Sequence, residues 1–298
     1  MHSFKRGFIL IFSIFSLFLL TSCNNPGNIP IGTSARIGKQ ISGQSPEPVF
    51  KEPSFSSEVL EIMAPKEIYN IEFKNGWRLV MNHGIIGYLP PKIINYDYDN
   101  EVYLDIPVTG QFPEYHNGCE AVSIKMMLEK LGINKTKDEI ADEIPKDETE
   151  AIYDEQGNLA VWGDPDKGFV GNIEGGGDGG YSIYPKAVVE YLKKYFDKPI
   201  DLTGSSIEVL ERYIRAGRPV VIWATVNFQD VYSHISWNTP EGKRIDGSFN
   251  IHAMTLVGFD EENFYLNDPF TETKDMPVTK ERFVEVWNQL GNKAVSID

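Results

Sequence analysis

The chain has two cysteines, and Cys119 is the one in a segment suited to chemistry. It stands in Asn-Gly-Cys-Glu at the front of an apolar helical pattern, whereas Cys23 ends an N-terminal apolar segment. Far downstream, His252 opens an apolar strand pattern, and Asp268 follows within Asn-Asp-Pro. A thiol, an imidazole and a carboxylate in this order are the groups that a cysteine nucleophile needs. The pattern therefore predicts nucleophilic catalysis at Cys119.

The segment after Cys119 has apolar residues at spacings of three and four, which predicts a helix over residues 120–131 that stops at Gly132. Cys119 would then lie at a helix N-terminus, where unpaired N–H groups and partial positive charge favour the thiolate. Gly118 would let the backbone approach a substrate closely. The charge of Glu120 partly opposes the thiolate.

Gln111 lies eight positions before Cys119 and carries a side-chain amide suited to an oxyanion hole. The amide N–H and the Cys119 backbone N–H would donate to the oxygen on which negative charge develops. Taken alone, Gln111 has the alternative of being a surface or turn residue.

Residues 250–268 read as two apolar strands joined by an acidic turn at 260–263. In a tight hairpin the start of one strand lies beside the end of the next, so His252 and Asp268 are expected to be neighbours. The carboxylate would fix the imidazole tautomer and leave the other ring nitrogen for the thiol. His234, in a polar stretch, is the rival base, and His116 is expected to line the entrance.

The N-terminus carries the signs of export. Lys5 and Arg6 precede an apolar stretch that is too short for an ordinary membrane span, and Leu-Thr-Ser-Cys ending at Cys23 resembles a bacterial lipobox. This predicts a signal peptide over 1–22, lipid on Cys23 and a flexible tether over 23–47, rich in Asn, Gly, Pro and Ser. The protein would be anchored at the outer face of a cell membrane, extracellular or periplasmic. A plain signal peptide or an uncleaved anchor is the alternative.

The net charge of −15 argues against nucleic acid as a partner and fits a solvated extracellular surface or basic substrates. With one thiol beyond Cys23, no disulfide within the chain is expected. No cofactor or metal site is predicted. The glycine-rich segment 175–180 lacks the Gly-Lys-Ser/Thr of a phosphate loop, and no cluster of metal ligands is present in the sequence. Residues 145–180 lack a long period, and the glycine-rich stretch 175–180 within them is expected to be a mobile loop that shapes the cleft.

Residues 48–98 alternate short strand-like runs with turn signals, and Asn75-Gly76 is a strong hairpin cue. With Trp77 after this turn and Gly-Tyr-Leu around Tyr88, the segment resembles bacterial SH3-like domains and predicts a small all-β barrel. Such domains bind cell-wall peptides or position a neighbouring enzyme, so cell-wall peptides are candidate partners. Trp77 and Tyr88 are either packing residues or ligand contacts.

Several motifs together resemble the papain-like cysteine peptidases related to the bacteriocin-processing, double-glycine leader peptidases, in their stand-alone, secreted subgroup. The motifs are Gln111 with Asn-Gly-Cys-Glu-Ala, Gly-Phe-Val-Gly at 168–171, Gly-Arg-Pro-Val-Val-Ile at 217–222, and the blocks at 252–260 and 265–269. The resemblance implies an α+β papain-like fold over 102–298, in which a helix carrying the cysteine packs on an antiparallel sheet carrying histidine and aspartate. It also implies Cys119 as nucleophile, His252 as general base, Asp268 as its orienter and Gln111 as oxyanion donor.

The expected activity is hydrolysis of peptide bonds through a thioester, with a peptide or protein as substrate. One alternative is a peptidoglycan peptide hydrolase of the papain-like murein endopeptidase kind. Those enzymes usually carry Asp-Cys-Ser at the nucleophile, where this chain has Gly-Cys-Glu. The other is a cell-surface binding lipoprotein that kept the fold and lost the activity.

Overall fold

The computed structural model describes residues 37–42, 47–63, 67–72, 77–82, 85–90, 101–175 and 179–298. The predicted signal peptide, the lipid site Cys23 and the first part of the predicted tether lie outside these residues. Within the described ranges, no helix is both long enough and apolar enough to cross a membrane.

An antiparallel sheet of six strands forms the N-terminal part of the described chain, in the order β1-β4-β5-β6-β2-β3. The strands are β1 (Ile37–Ser42), β2 (Glu47–Phe50), β3 (Val59–Met63), β4 (Glu67–Glu72), β5 (Arg78–Asn82) and β6 (Ile85–Leu89). That this sheet closes as an SH3-like barrel stays a prediction.

Strand β1 changes one boundary predicted from the sequence. Residues 37–42 form this strand, whereas the sequence predicts them as part of the flexible tether over 23–47. In the structure this segment pairs with β4, with Ile37 opposite Ile71 and Ile41 opposite Ile68. A strand at a sheet edge needs a neighbour with free main-chain groups, and it does not need a long apolar period of its own. The composition of residues 37–42 therefore does not reveal that they form a strand.

The remainder of the chain is built on a mixed set of short strands and one larger sheet. The strands are β7 (Val102–Tyr103), β8 (Lys146–Asp147), β9 (Ile152–Tyr153), β10 (Leu159–Val161), β11 (Phe169–Val170), β12 (Pro199–Asp201), β13 (Val220–Thr225), β14 (His234–Asn238), β15 (Arg244–Ser248), β16 (Ile251–Phe259), β17 (Asn263–Asp268), β18 (Thr273–Thr279) and β19 (Ala294–Ile297). The larger sheet runs in the order β12-β19-β13-β16-β17-β18, and β7 also pairs with β16.

Strand β16 is the centre of this sheet, and all nine of its residues are buried. It pairs antiparallel with β13 on one side and with β17 on the other. A strand buried on both faces reads in sequence as a continuous apolar run, which is why the segment before Asp260 was recognisable. Polar side chains in this strand must find partners inside the protein, and His252 is one of them.

Five helices and one 3₁₀ turn (Val226–Phe228) are present in the described residues. The helices are α1 (Cys119–Lys130), α2 (Lys137–Glu143), α3 (Pro185–Leu192), α4 (Ile207–Arg215) and α5 (Lys280–Gln289). Helix α1 matches the helix predicted from the apolar spacing, and Gly132 follows it with a φ of 87°, as the stop signal required. Thr136 caps α2 and forms a capping box with Glu139.

Four short strands, β8 to β11, lie within the segment 145–180. Strands β9 and β10 join β14 and β15 in a second sheet of order β15-β14-β10-β9, and β8 pairs parallel with β11. Aromatic rings pack tightly beside the second sheet. The ring centroids of Trp162 and Trp237 are 5.5 Å apart, and those of Tyr181 and Trp237 are 4.9 Å apart. The lack of a long period over 145–180 therefore does not mean a lack of strands, and residues 176–178 of the predicted glycine-rich loop lie outside the described residues. Strands of two or three residues are too short to leave a period in the sequence.

Trp77 is a packing residue, with 3% of its surface exposed. Its ring lies 5.5 Å from that of Phe50 and 5.0 Å from that of Phe55. The Phe55 ring in turn lies 5.7 Å from that of Tyr213 in α4, and the Phe55 N–H and the Tyr213 hydroxyl both donate to Asp298 Oδ1. Of the two alternatives for Trp77, direct ligand contact is thereby excluded in this conformation.

Candidate active site

Cys119 opens helix α1 and is 8% exposed. Its sulfur accepts a hydrogen bond from the Ala253 backbone N–H, at 3.4 Å, so the thiol lies beside the residue that follows His252 in β16. Two further hydrogen bonds hold helix and strand together: Ser123 Oγ donates to the Ala253 carbonyl, and Thr255 Oγ1 donates to the Ser123 carbonyl, each at 3.1 Å. The register between α1 and β16 is therefore fixed next to the sulfur.

His252 and Asp268 are in direct contact, with Nε2 of the imidazole 2.6 Å from Oδ1 of the carboxylate. The hairpin of β16 and β17 brings them together, since Thr255 pairs with Asn267 in its register. Both side chains are buried. The neighbourhood expected from the hairpin pattern is thus observed. Because the carboxylate engages Nε2, Nδ1 is left for the thiol.

The Asp268 carboxylate has a full set of donors. Its Oδ1 also accepts the Phe270 N–H at 2.9 Å, and its Oδ2 accepts the Thr271 hydroxyl at 2.7 Å. Burial by itself would raise the pKa of Asp268, but the hydrogen bond and charge of His252, with the bonds from Thr271 and Phe270, outweigh it. The pKa of Asp268 lies below its ordinary value, so the group is ionised at neutral pH.

The environment of the Cys119 thiol opposes ionisation. Burial raises its pKa well above the ordinary value, and the neighbouring Glu120 charge raises it further. The thiol donates to Glu120 Oε2 at 3.2 Å. The helix N-terminus, expected from sequence to favour the thiolate, therefore acts against two stronger effects in this state of the protein.

Glu120 is a buried carboxyl group, 1% exposed. Its Oε1 accepts a hydrogen bond from the Ser182 hydroxyl, in the segment before α3. Burial raises the pKa of Glu120 in spite of this bond. The charge of Glu120 is apparent in the sequence, but its burial and its hydrogen bond to Ser182 are not. No sequence signal links it to Ser182, which lies far along the chain.

Gln111 is buried and ties two loops of the site together. Its backbone N–H donates to the Pro269 carbonyl at 2.9 Å, next to Asp268. Its side-chain Nε2 donates to the carbonyls of Tyr115 and His116, at 3.1 and 3.0 Å. Its Oε1 has no hydrogen-bond partner among the described residues. In this conformation the amide braces the loop before Cys119, and its role as oxyanion donor stays a prediction.

We expect Gln111→Glu to lower kcat by about 10²–10³, because losing one oxyanion-hole donor has an effect of that size. The change keeps the shape of the side chain and removes its two N–H bonds. Steady-state kinetics on a cleaved peptide would measure the loss, and a denaturation curve would report any weakening of the loop. A variant that is less stable but keeps its kcat would assign Gln111 to bracing alone.

Gly118 is required by the packing of the loop around it, a reason that the sequence does not show. A Cβ atom at this position would lie 2.4 Å from Cβ of Tyr115, a distance that side chains do not tolerate. Tyr115 is buried, and its hydroxyl donates to Asp138 of α2 at 2.9 Å. Gly118 is thus required by the packing of the loop that precedes Cys119, and close approach of a substrate at this glycine stays a prediction.

The remaining residues near the site are partly exposed. Phe270 has its ring 5.9 Å from that of His252 and 5.1 Å from that of Phe112. Both phenylalanines expose about two fifths of their surface, and sequence reasoning missed them. His116 is exposed beside Phe112. His234, the rival base, is exposed on β14 and has no hydrogen bond to the other site residues in the part of the chain that is described.

Among the described residues, no group of three or more His, Cys, Asp or Glu side chains is arranged to hold a metal ion. The reactive groups described at the site are the Cys119 thiol, the His252 imidazole and the carboxyl groups of Glu120 and Asp268.

Comparison with known proteins decides the family. Residues 103–295 match the profile of the Peptidase_C39 like family, which is well over half of the chain. The chain belongs to this family. Membership implies a peptidase with a peptide substrate, and it agrees with the resemblance seen in the motifs.

Two relatives extend the family assignment. The chain is 33% identical over 197 residues to the uncharacterized protein YvpB of Bacillus subtilis (strain 168), which covers 65% of this chain and 75% of that protein. It is also similar to a crystal structure from Bacillus anthracis described as a C39-like peptidase, with a TM-score of 0.60 and 36% identity, covering 67% of this chain and 98% of the other. The α+β, papain-like fold class predicted from the sequence is confirmed.

Proposed function

We propose that the protein is a cysteine peptidase that hydrolyses peptide bonds with Cys119, His252 and Asp268. The observation that carries the proposal is the buried 2.6 Å contact between His252 and Asp268, next to a sulfur that is hydrogen-bonded to the backbone of Ala253. An aspartate on one ring nitrogen leaves the other free to act as base toward a thiol. Family membership supports a peptide as the substrate.

The proposed reaction is acyl transfer to water in two steps. Nδ1 of His252 takes the proton of Cys119, and the sulfur attacks the carbonyl carbon of the scissile bond. The Cys119 backbone N–H and Gln111 stabilise the oxyanion. The imidazolium then gives its proton to the leaving amine, and a thioester is formed. A water molecule, deprotonated by His252, attacks the thioester, and the returning proton regenerates the thiol.

The N-terminal features belong to the proposal as well. We propose that export exposes the enzyme at the outer face of a cell membrane, where lipid on Cys23 anchors it. The lipobox-like sequence before Cys23 supports this. Several acyl chains on one cysteine give stable anchoring, because each buried methylene contributes roughly 0.8 kcal/mol. Cell-wall peptides are proposed partners of the N-terminal sheet through surfaces other than Trp77, which is buried.

We expect metabolic labelling with a fatty acid to mark the wild-type protein and to leave Cys23→Ala unmarked. The reason is that the proposed thioether and amide attachments both require this residue. A matched control is Cys119→Ala, which keeps Cys23 and should be labelled as strongly as the wild type. Equal labelling of Cys23→Ala would contradict the anchor.

The proposed activity is tested with the full chain in detergent, incubated in parallel with unfolded proteins and with purified peptidoglycan. New peptide N-termini found by mass spectrometry with the wild type, and absent with Cys119→Ala, would support the proposal. Release of stem-peptide fragments alone would favour the peptidoglycan hydrolase. No cleavage of either would return the binding lipoprotein to first place.

A further inference from the structure

A buried carboxyl group in contact with the nucleophile is the feature that the proposed mechanism does not use. Glu120 directs Oε2 at the Cys119 sulfur, 3.2 Å away, and Oε1 at the Ser182 hydroxyl. None of the ion pairs found among the described residues joins Glu120 to a lysine or arginine. An isolated carboxylate in such a place is costly, so its partners must account for it.

The one cationic group that the described site residues can provide, the His252 imidazolium, is shared between Glu120 and Asp268. The site holds two carboxyl groups and one imidazole, and that imidazole is already paired with Asp268 at 2.6 Å. Two acidic groups this close cannot both ionise freely, and they lose their protons as a coupled pair. The thiol and the Glu120 carboxyl group are such a pair, with one hydrogen bond between them.

We propose that Glu120 shares a proton with Cys119 and acts as a positioning residue that controls when the sulfur is a thiolate. The inference rests on the proposed function of Cys119. In the reactive form, Glu120 is protonated and donates its O–H to the thiolate, while His252 is the imidazolium that later protonates the leaving amine. When Glu120 loses its proton to solvent, a negative charge returns beside the sulfur. The sulfur then takes its proton back from His252, and the nucleophile is switched off.

From β16, Glu120 faces His252, whose charge is part of the proposed switch. The other groups that face Glu120 do not change charge in the same range of pH: they are Ser182 and two buried tyrosines from the segment before α3. Tyr181 and Tyr184 have their hydroxyls 2.7 Å apart. Burial raises the pKa of Tyr181 to about 12, and it also raises the pKa of Tyr184, so both stay neutral. The switch therefore involves Cys119, Glu120 and His252.

The hydrogen bond from Ser182 affects which of the two groups, Glu120 or Cys119, keeps the shared proton. Its hydroxyl donates to Oε1 and so stabilises the ionised form of Glu120. With this bond, Glu120 gives up its proton more readily and the sulfur keeps its own. Removing the bond should make Glu120 hold the proton more tightly, and that should free the sulfur.

The test is the pH dependence of alkylation at Cys119, measured on the full chain with iodoacetamide and read by mass spectrometry on the peptide that contains Cys119. Wild type should lose labelling as the pH rises and Glu120 deprotonates, and should regain it only at higher pH, where the thiol itself ionises. In Glu120→Gln the charge beside the sulfur is removed while a donor remains, so this loss should be absent and the midpoint of the final rise should fall by about one pH unit or more. Ser182→Ala should shift the midpoint in the same direction and by less. A midpoint that is unchanged or higher in Glu120→Gln would overturn the proposal.

A second measurement covers the chance that Glu120→Gln does not fold. Ser182→Ala keeps the carboxyl group, and an unchanged or raised labelling midpoint in that variant would overturn the proposal by itself. Stability gives an independent readout, since a carboxyl group with a raised pKa stabilises the folded protein more at low pH and loses this as the pH rises through its folded pKa. Wild type should therefore gain more stability between pH 8 and pH 5 than Glu120→Gln.

His252→Ala separates this inference from the proposed function. If His252→Ala leaves labelling unchanged while Glu120→Gln lowers the midpoint, the sharing of a proton between Glu120 and Cys119 stands, whereas the catalytic role of His252 and its part in the switch both fail. If His252→Ala slows labelling at neutral pH while Glu120→Gln has no effect, the proposed function stands and the sharing of a proton fails.

Discussion

His252→Ala is expected to reduce kcat by about 10⁶, the size of effect seen when a residue of a catalytic triad that moves the proton is removed. His252 has two tasks in the proposed reaction, since it takes the thiol proton and later gives a proton to the leaving amine. Among the described residues, the hydrogen-bond partners of the Cys119 sulfur are Glu120 and the Ala253 N–H, and neither His116 nor His234 is one of them. Steady-state kinetics on a peptide found in the cleavage experiment would measure the loss.

The matched control is His234→Ala, which removes the rival base. His234 is exposed on β14, away from the pair formed by His252 and Asp268. Its removal should leave kcat and the unfolding curve as they are. If His234→Ala loses more activity than His252→Ala, the general base has been assigned to the wrong strand.

His252 is 2% exposed, so its removal also affects packing. The denaturation midpoint of His252→Ala therefore has to be measured with the kinetics. A folded, inactive variant assigns the loss to chemistry. The alkylation rate of Cys119 in the same variant separates the thiol step from later ones, because alkylation needs the thiolate and expels iodide without protonation of a leaving amine.

The hairpin of β16 and β17 is a part of the site that could be predicted well from the sequence. A buried central strand leaves a continuous apolar run, and an acidic turn marks its end. The register of such a hairpin has few solutions, which is why His252 and Asp268 were expected to be neighbours. The helix that begins at Cys119 was readable for a similar reason, since its apolar spacing and the stop at Gly132 agree.

The burial of Glu120 could not be predicted from the sequence. At the first turn of a helix, an acidic residue usually faces solvent and interacts favourably with the helix dipole. The packing of α1 on β16 and the segment before α3 turns this side chain inward, toward Ser182. The partners come from distant parts of the chain, and no local period records them.

Only some strands of the N-terminal sheet could be predicted from the sequence. Asn-Gly and the alternating runs predicted strands near Trp77, but the strand at 37–42 pairs without a pattern of its own. The burial of Trp77 depends on Phe55, which contacts Tyr213 in α4. An aromatic residue that would read as a ligand contact in an isolated barrel is thus used for packing against another part of the chain.

Asp268→Asn is the second prediction with a large effect, and we expect kcat to fall by a factor on the order of 10⁴. Oδ1 of an asparagine could still accept from His252 and Phe270, but the negative charge beside the imidazolium would be lost. Since the imidazolium must form in both steps, the loss should appear in kcat more than in KM. Asp268→Ala, which also loses the hydrogen bonds, should be less stable as well as inactive. An Asp268→Asn protein with wild-type kcat would remove Asp268 from the mechanism.

The stability of the same variant carries a pH signature whose sign is fixed. The pKa of Asp268 is lowered in the folded protein, so its ionised form stabilises the fold above the unfolded pKa of about 3.9. This contribution is lost as the pH falls through the lower, folded pKa. Asp268→Asn has no such group, so its deficit in unfolding free energy against wild type should be largest near neutral pH and shrink in acid. A deficit that is independent of pH would mean that the carboxylate acts by shape alone, and the charge of Asp268 could then not be what orients His252.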